Sequence, residues 1–125
     1  MGKPGNIGVR RIVNATLYSV AGIKTAWHNE AAFRQECLFC VVLIPAGIWL
    51  GQNAVERVLL VGSCLLVLIV ELLNSAVECV VDRVSTDHHR LSGQAKDLGS
   101  AAVFMSLILV LIVWGFIGWA RWAAL

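Results

Sequence analysis

Acidic side chains within an otherwise lipid-like stretch are the first chemistry this sequence offers. Residues 71–82 read ELLNSAVECVVD. A carboxylate in a membrane helix costs about 2.5 to 3.5 kcal/mol on an insertion scale, so Glu71 and Glu78 require a reason. Wound as a helix, Asn74, Ser75, Glu78 and Asp82 fall within about 60° of Glu71 and form one polar stripe. Glue between helices is one account of it, with Asn74 and Ser75 hydrogen-bonding across a seam. Two Glu residues two turns apart, continued by Asp82, favour a site reached from the cytoplasm. Their oxygens suit a hard cation such as Mg²⁺, which commonly joins one or two carboxylates to nucleotide phosphates.

Two further polar clusters accompany the stripe. In WHNEAAFRQE, residues 27–36, Glu30 and Arg34 have the spacing of a helical surface ion pair. Alternatively, Glu30 completes a carboxylate cage with Glu78 of the same or another subunit. The second cluster runs from Asp87 to Asp97 and is expected to be a solvated loop. Adjacent His88 and His89 point in different directions on any regular element, which disfavours a two-His metal site. Lys96 and the histidines suit phosphate oxygens, and Asp97 suits a ribose hydroxyl or Lys96. Neither a P-loop nor a G-x-G-x-x-G cradle is present. Cys37, Cys40, Cys64 and Cys79 sit in or beside apolar runs, where thiols pack as small hydrophobes. The single C-x-x-C lacks a second pair or a spaced His, so zinc and redox roles are not expected.

What must position these groups is a membrane bundle. The 125 residues are 58% apolar and 14% charged, with a mean hydropathy of +0.77. A soluble domain carries near a quarter charged residues, so the composition excludes that class, as it excludes disorder. A net charge of only +2 argues against a nucleic-acid binder with a dense basic surface. Residues 37–55 and 98–120 carry no charge, and 58–81 carry only Glu71 and Glu78. With about 20 apolar residues needed per crossing, these windows predict spans near 31–51, 56–81 and 97–120. Pro45 should kink the first, and Gly47 with Gly51 offers a small-xxx-small contact.

Ahead of the spans, residues of about 7–27 read as an amphipathic helix in the headgroup layer. Val9, Ile12, Val13, Val20, Ile23 and Trp27 share one face, opposite Arg10, Arg11, Asn14, Tyr18 and Thr25. No signal-peptide core is visible there. Lys3, Arg10, Arg11, Lys24, Arg34, Arg83, Arg90 and Lys96 would face one side, against Arg57 and Arg121 on the other. The positive-inside rule then places the amino terminus and the second connection in the cytoplasm. The architecture expected over 1–125 is one all-α membrane domain, without internal repeats.

These clusters together resemble the small integral-membrane diacylglycerol kinases of bacteria. The likeness extends from about Arg10 to Trp119 and is carried by WHNEAAFRQE, ELLNSAVECVVD and, at 91–103, LSGQAKDLGSAAV. It implies a homotrimer in the inner membrane, with sites shared between subunits, that moves the γ-phosphoryl of ATP to diacylglycerol and gives phosphatidic acid with Mg²⁺. By position, the family's proton acceptor falls on Glu71, its metal carboxylates fall on Glu30 and Glu78, and Asn74 supports them. Arg11, Tyr18, Glu30, Glu78, Asp87, His88, His89, Lys96 and Asp97 would meet ATP. On the lipid path the likeness places Arg11, Ala15, Thr16, Leu17, Tyr18, Ser19 and Val20, then Lys24, Thr25, Ala26 and Trp27. The same path continues through Ala32, Phe33, Arg34, Gln35 and Glu36, then Trp49, Leu50, Gly51, Gln52 and Arg57, with Glu71 and Ser100. Gln94, Cys37, His88 and Arg90 depart from the residues the family often has there.

Glu71 lies deepest on the stripe, where it suits taking a proton from an alcohol emerging from lipid. Undecaprenol also presents a primary hydroxyl at that depth and is the neighbouring alternative. A proton-coupled transporter, with Glu71 and Glu78 as a relay, is a more remote one. A relay needs polar groups continuing outward, and 58–70 offers only Gly62, Ser63 and Cys64. An oligomer without catalysis would show neither activity.

Overall fold

The computed structural model describes residues 7–125, so Lys3 lies outside the described residues. Four helices follow in order: α1 (Val9–Asn29), α2 (Ala31–Leu50), α3 (Ala54–Val84) and α4 (Arg90–Ala123). No strand occurs among the described residues. The last three are long and apolar enough to cross a membrane, as the charge-free windows predict. α1 buries only Ala26 and leaves its apolar face uncovered.

The joint between α1 and α2 is a single residue. Glu30 is extended, with φ −117° and ψ 106°, and its N–H donates to the Ala26 carbonyl at 2.9 Å. Arg34 Nη1 reaches back to the carbonyls of Trp27 and His28, at 2.7 and 3.2 Å. A guanidinium thus satisfies the last carbonyls of α1, where the helix dipole favours a cation.

At the opposite end, the turn between α2 and α3 is closed by the Asn53 N-cap and its side-chain pair with Glu56. Asn53 Oδ1 accepts from the Glu56 N–H at 2.9 Å, and Asn53 Nδ2 donates to Glu56 Oε2 at 3.2 Å. Arg57 Nε donates to the Ile48 carbonyl at 3.1 Å. From the far end of α4, Arg121 Nη2 donates to the Leu50 carbonyl at 2.6 Å and meets Glu56 Oε1 at 3.3 Å. One cation therefore ties the end of α2, the start of α3 and the end of α4. Gly51 is required beside this knot, because a Cβ there would lie 2.6 Å from Arg57 Cγ.

Deeper in, α2, α3 and α4 converge on Leu60, which is 0% exposed. Trp114 Nε1 donates to the Leu60 carbonyl at 3.2 Å, and a Cβ at Gly47 would lie 3.0 Å from Leu60 Cβ and 3.3 Å from Trp114 Cζ2. The Gly47 half of the small-residue pair is thus a packing contact, whereas Gly51 ends its helix. α2 remains helical through Pro45. Gly47→Val should destabilise the bundle by about 1–3 kcal/mol through overpacking, read as a lower unfolding midpoint in detergent. Gly62→Val, with nothing within 4 Å of its Cβ, is the control expected to leave that packing intact.

The expected solvated loop from Asp87 to Asp97 is corrected by the structure. Helix α4 begins at Arg90, and only residues 85–89 connect it to α3. His89 Nδ1 caps the new start by accepting from the Leu91 N–H at 3.1 Å, and Lys96 Nζ pairs with Asp82 Oδ1 at 2.8 Å. The charges that end a membrane span carry no insertion cost once outside it, so helical winding continues past them. At 1.5 Å per residue, the 31 residues of α3 and 34 of α4 extend about 46 and 51 Å, beyond a hydrocarbon core of about 30 Å.

Candidate functional site

The polar stripe of α3 is real and faces its neighbours. Glu71 is 4% exposed, one turn along α3 from Val67 at the near end of the small core that Leu60, Cys64 and Val67 form. Across the α2 seam, Glu36 brings its carboxyl within hydrogen-bonding reach of Glu71, while Glu30 and Glu78 are near enough for their charges to act on it. One turn further along α3, Asn74 Nδ2 donates to Glu78 Oε1 at 3.4 Å. One turn beyond Glu78, Asp82 holds Lys96 of α4. Five carboxylates, Glu36 of α2, Glu71, Glu78 and Asp82 of α3, and Glu30 at the joint between α1 and α2, therefore lie toward one end of the bundle.

Buried polar atoms without a partner concentrate in the same place. Among the described residues they are Glu36 Oε2, Asn74 Oδ1 and Ser75 Oγ. Such groups cost free energy where they are unpaired, and native chains keep few of them. Asn74 and Ser75 lie on the stripe and Glu36 faces it from α2, so within one chain the seam is not completed glue, in which Asn74 and Ser75 would be satisfied, and the stripe is the candidate site.

A cavity of about 530 Å³ opens beside the stripe, between α1 and α3. Ser19, Thr25, Ala26 and Glu30 line it from among the residues expected on the lipid path or at the metal. Gly22, Ile23, Asn29, Leu72, Ser75, Ala76 and Cys79 line it as well and were not singled out for that path. Ser75 belongs to the stripe, and Cys79 follows it at four-residue spacing. The rest depend on which face α1 turns to α3, which periodicity within α1 does not reveal.

Other expected residues lie elsewhere on the chain. Trp49 and Leu50 end α2, about 28 Å along the helix from Glu30, with Gly51 and Gln52 in the turn that follows and Arg57 in the first turn of α3. Arg11 is an equal helical distance from Glu30 along α1, with Tyr18 between them, and both are exposed. Arg34, expected beside Glu30 as an ion pair or on the lipid path, is occupied with the α1 carbonyls. Asp87 donates its N–H to Ser85 Oγ at 3.0 Å. His88, Asp97 and Ser100 are exposed around the start of α4.

Metal chemistry has a donor set of the right kind here. Glu78 on the stripe and Glu30 at the α1–α2 joint offer hard carboxylate oxygens, with Glu78 held by the Asn74 amide. No cluster of three or more His, Cys, Asp or Glu side chains forms a metal cage among the described residues of one chain. Glu30 and Glu78 alone would suit a cation that takes one or two carboxylates and completes its shell with phosphate and water, as Mg²⁺ does. Cys40 Sγ donates to the Cys64 carbonyl at 3.8 Å in the core, while Cys79 lines the cavity.

Sequence comparison extends the geometry. The family model described as prokaryotic diacylglycerol kinase matches residues 17–118. The chain is 53% identical over 108 residues to a diacylglycerol kinase of Haemophilus influenzae, covering 86% of this chain and 92% of that one. Against a diacylglycerol kinase of Pseudomonas aeruginosa it is 53% identical over 113 residues, covering 90% and 92% respectively. Against one of Escherichia coli the figure is 48% over 114 residues, covering 91% and 93%.

Proposed function

The chain belongs to the prokaryotic diacylglycerol kinase family, and we infer that it is an ATP-dependent lipid kinase acting on diacylglycerol in the bacterial inner membrane. Three membrane-spanning helices make it a multi-pass protein. The observation that carries the reading is the buried Glu71 on a stripe that runs out to exposed Asp82 and Lys96. A lipid alcohol and a water-soluble nucleotide can meet only along such a gradient.

In the reaction, the oxygen of the primary hydroxyl forms a bond to the γ-phosphorus of ATP as the bond to the β–γ bridging oxygen breaks, giving phosphatidic acid and ADP. Glu71 takes the hydroxyl proton. Glu36, which faces Glu71 across the seam, would help to orient the same hydroxyl. Glu30 and Glu78 would hold Mg²⁺, with Asn74 fixing Glu78; when bound, the ion neutralises phosphate charge. Lys96 adds a cation at the mouth of the site, shared with Asp82. Little covalent work falls to the protein in phosphoryl transfer, so positioning and charge carry the rate.

A single chain leaves Arg11 and Tyr18 far from Glu30, and most of α4 uncovered by its own helices. Both features support assembly into a homotrimer whose sites draw residues from neighbouring copies. The excess of Lys and Arg at the Glu30 end supports a cytoplasmic amino terminus, on the side where ATP is made. α1, with its uncovered apolar face, then lies in the headgroup layer above the site. A proton relay is disfavoured by the outer half of α3: Leu60, Cys64 and Val67 are at most 3% exposed and close the seam beyond Glu71.

Incubation of the purified protein in mixed micelles with MgATP labelled on the γ-phosphate tests the assignment. Labelled phosphatidic acid is expected from diacylglycerol, with much less product from undecaprenol. Label transfer to undecaprenol alone, or ATP-independent ion uptake without lipid product, would overturn it.

A further inference from the structure

Gly99 of α4 has no place in the chemistry described so far, yet it stands opposite the residue that orients the metal carboxylate. A Cβ at position 99 would collide with Asn74 Oδ1 and lie 3.3 Å from Asn74 Cγ. No other glycine of α4 is so constrained: Gly93, Gly115 and Gly118 have nothing within 4 Å of the added carbon. Asn74 Oδ1 is also one of the buried atoms without a partner, while Nδ2 of the same amide donates to Glu78 Oε1 at 3.4 Å. The amide is therefore held in its orientation by the space against α4 and by Glu78, with no other hydrogen bond to fix it. One turn earlier on α4, the Lys96–Asp82 pair fixes the register that brings Gly99 to this level.

We propose that Gly99 is a positioning residue for the reaction: its missing side chain is the seat that keeps the Asn74 amide turned toward Glu78, and so sets how well Glu78 holds the divalent cation. This rests on the assignment of Glu78 to Mg²⁺. The Asn74 amide is the far end of a flexible side chain, so an added methyl at position 99 is accommodated by turning Asn74 away, and the helices need not part. Alanine also favours helix over glycine in a helix interior. Gly99→Ala consequently separates function from stability: the bundle holds and the metal site loosens.

The full-length protein in detergent, with a non-hydrolysable ATP analogue, is titrated with Mn²⁺ as an EPR-visible stand-in for Mg²⁺. Loss of an outer partner of a metal ligand costs about 10- to 100-fold in affinity. Gly99→Ala should therefore raise the Mn²⁺ dissociation constant by about 10-fold, while the thermal unfolding midpoint stays at or above that of the parent. Asn74→Ala should show the same shift without any added bulk, and Gly99→Ala in the Asn74→Ala background should add nothing further. Gly115→Ala should bind Mn²⁺ as the parent does. Unaltered Mn²⁺ binding in Gly99→Ala, or in Asn74→Ala should the glycine variant unfold, overturns the proposal, as does an additive shift in the double variant. Glu78→Gln separates the two levels: if it leaves Mn²⁺ binding unchanged, the metal assignment itself fails, whereas a shift there without one in Gly99→Ala sinks only the role of Gly99.

Discussion

Glu71→Gln lowers lipid phosphorylation by about 10²- to 10⁴-fold, the usual cost of losing a general base, and leaves the four helices folded. The substitution keeps shape and removes proton affinity. Glu71 is 4% exposed among α2 and α3 side chains, so a smaller residue would open a cavity and confuse the result. An amide fills the same volume and spares the site a buried charge, which argues for an unchanged or higher unfolding midpoint. Transfer of the γ-label from ATP to diacylglycerol measures the first outcome, and circular dichroism through thermal unfolding the second. Turnover equal to the parent's in a well-folded Glu71→Gln protein removes Glu71 from the role of proton acceptor. Glu36 would then be the next carboxyl to test, since it meets Glu71 across the seam.

Glu78→Gln is the second large effect, and it differs in kind. The hydrogen bond from Asn74 Nδ2 survives, because the amide oxygen of Gln accepts as the carboxylate oxygen did. Only the negative charge is lost. A carboxylate that binds a divalent ion directly is worth at least what its outer partners are, so the Mg²⁺ concentration needed for half-maximal turnover should rise by about 100-fold or more. Raising Mg²⁺ should recover part of the rate, a recovery not expected for Glu71→Gln. Chelation of the metal should stop the parent enzyme, and its return should restart it. A Glu78→Gln protein with the parent's Mg²⁺ response would place the ion elsewhere.

The membrane-spanning part of this fold was legible because lipid enforces a simple rule. Charge is expensive in hydrocarbon, so the nearly uncharged windows located three helices, and the exceptions, Glu71 and Glu78, pointed to the candidate site. Beyond the bilayer that rule lapses, and the reading lost its edge. The start of α4 at Arg90 depends on His89 as a cap and on the Lys96–Asp82 pair, neither of which hydropathy can see. The knot at Arg121 joins residues 71 and 65 positions apart, and no local pattern relates them. Gly99 shows the same limit more sharply. A glycine in a helix acquires meaning only from what the facing helix places opposite it, here a single amide. Ser75 was read within the stripe, but that its hydroxyl is buried without a partner beside a cavity had to await the packing of α1.

The joint at Glu30 has a mechanical corollary. A linker of several residues would let the surface helix rock on the headgroups without disturbing anything below it. Here the only pivot is itself a candidate ligand, strapped from the α2 side by the Arg34 guanidinium. There is no slack to absorb a change in slope, so any tilt of α1 displaces the Glu30 backbone directly.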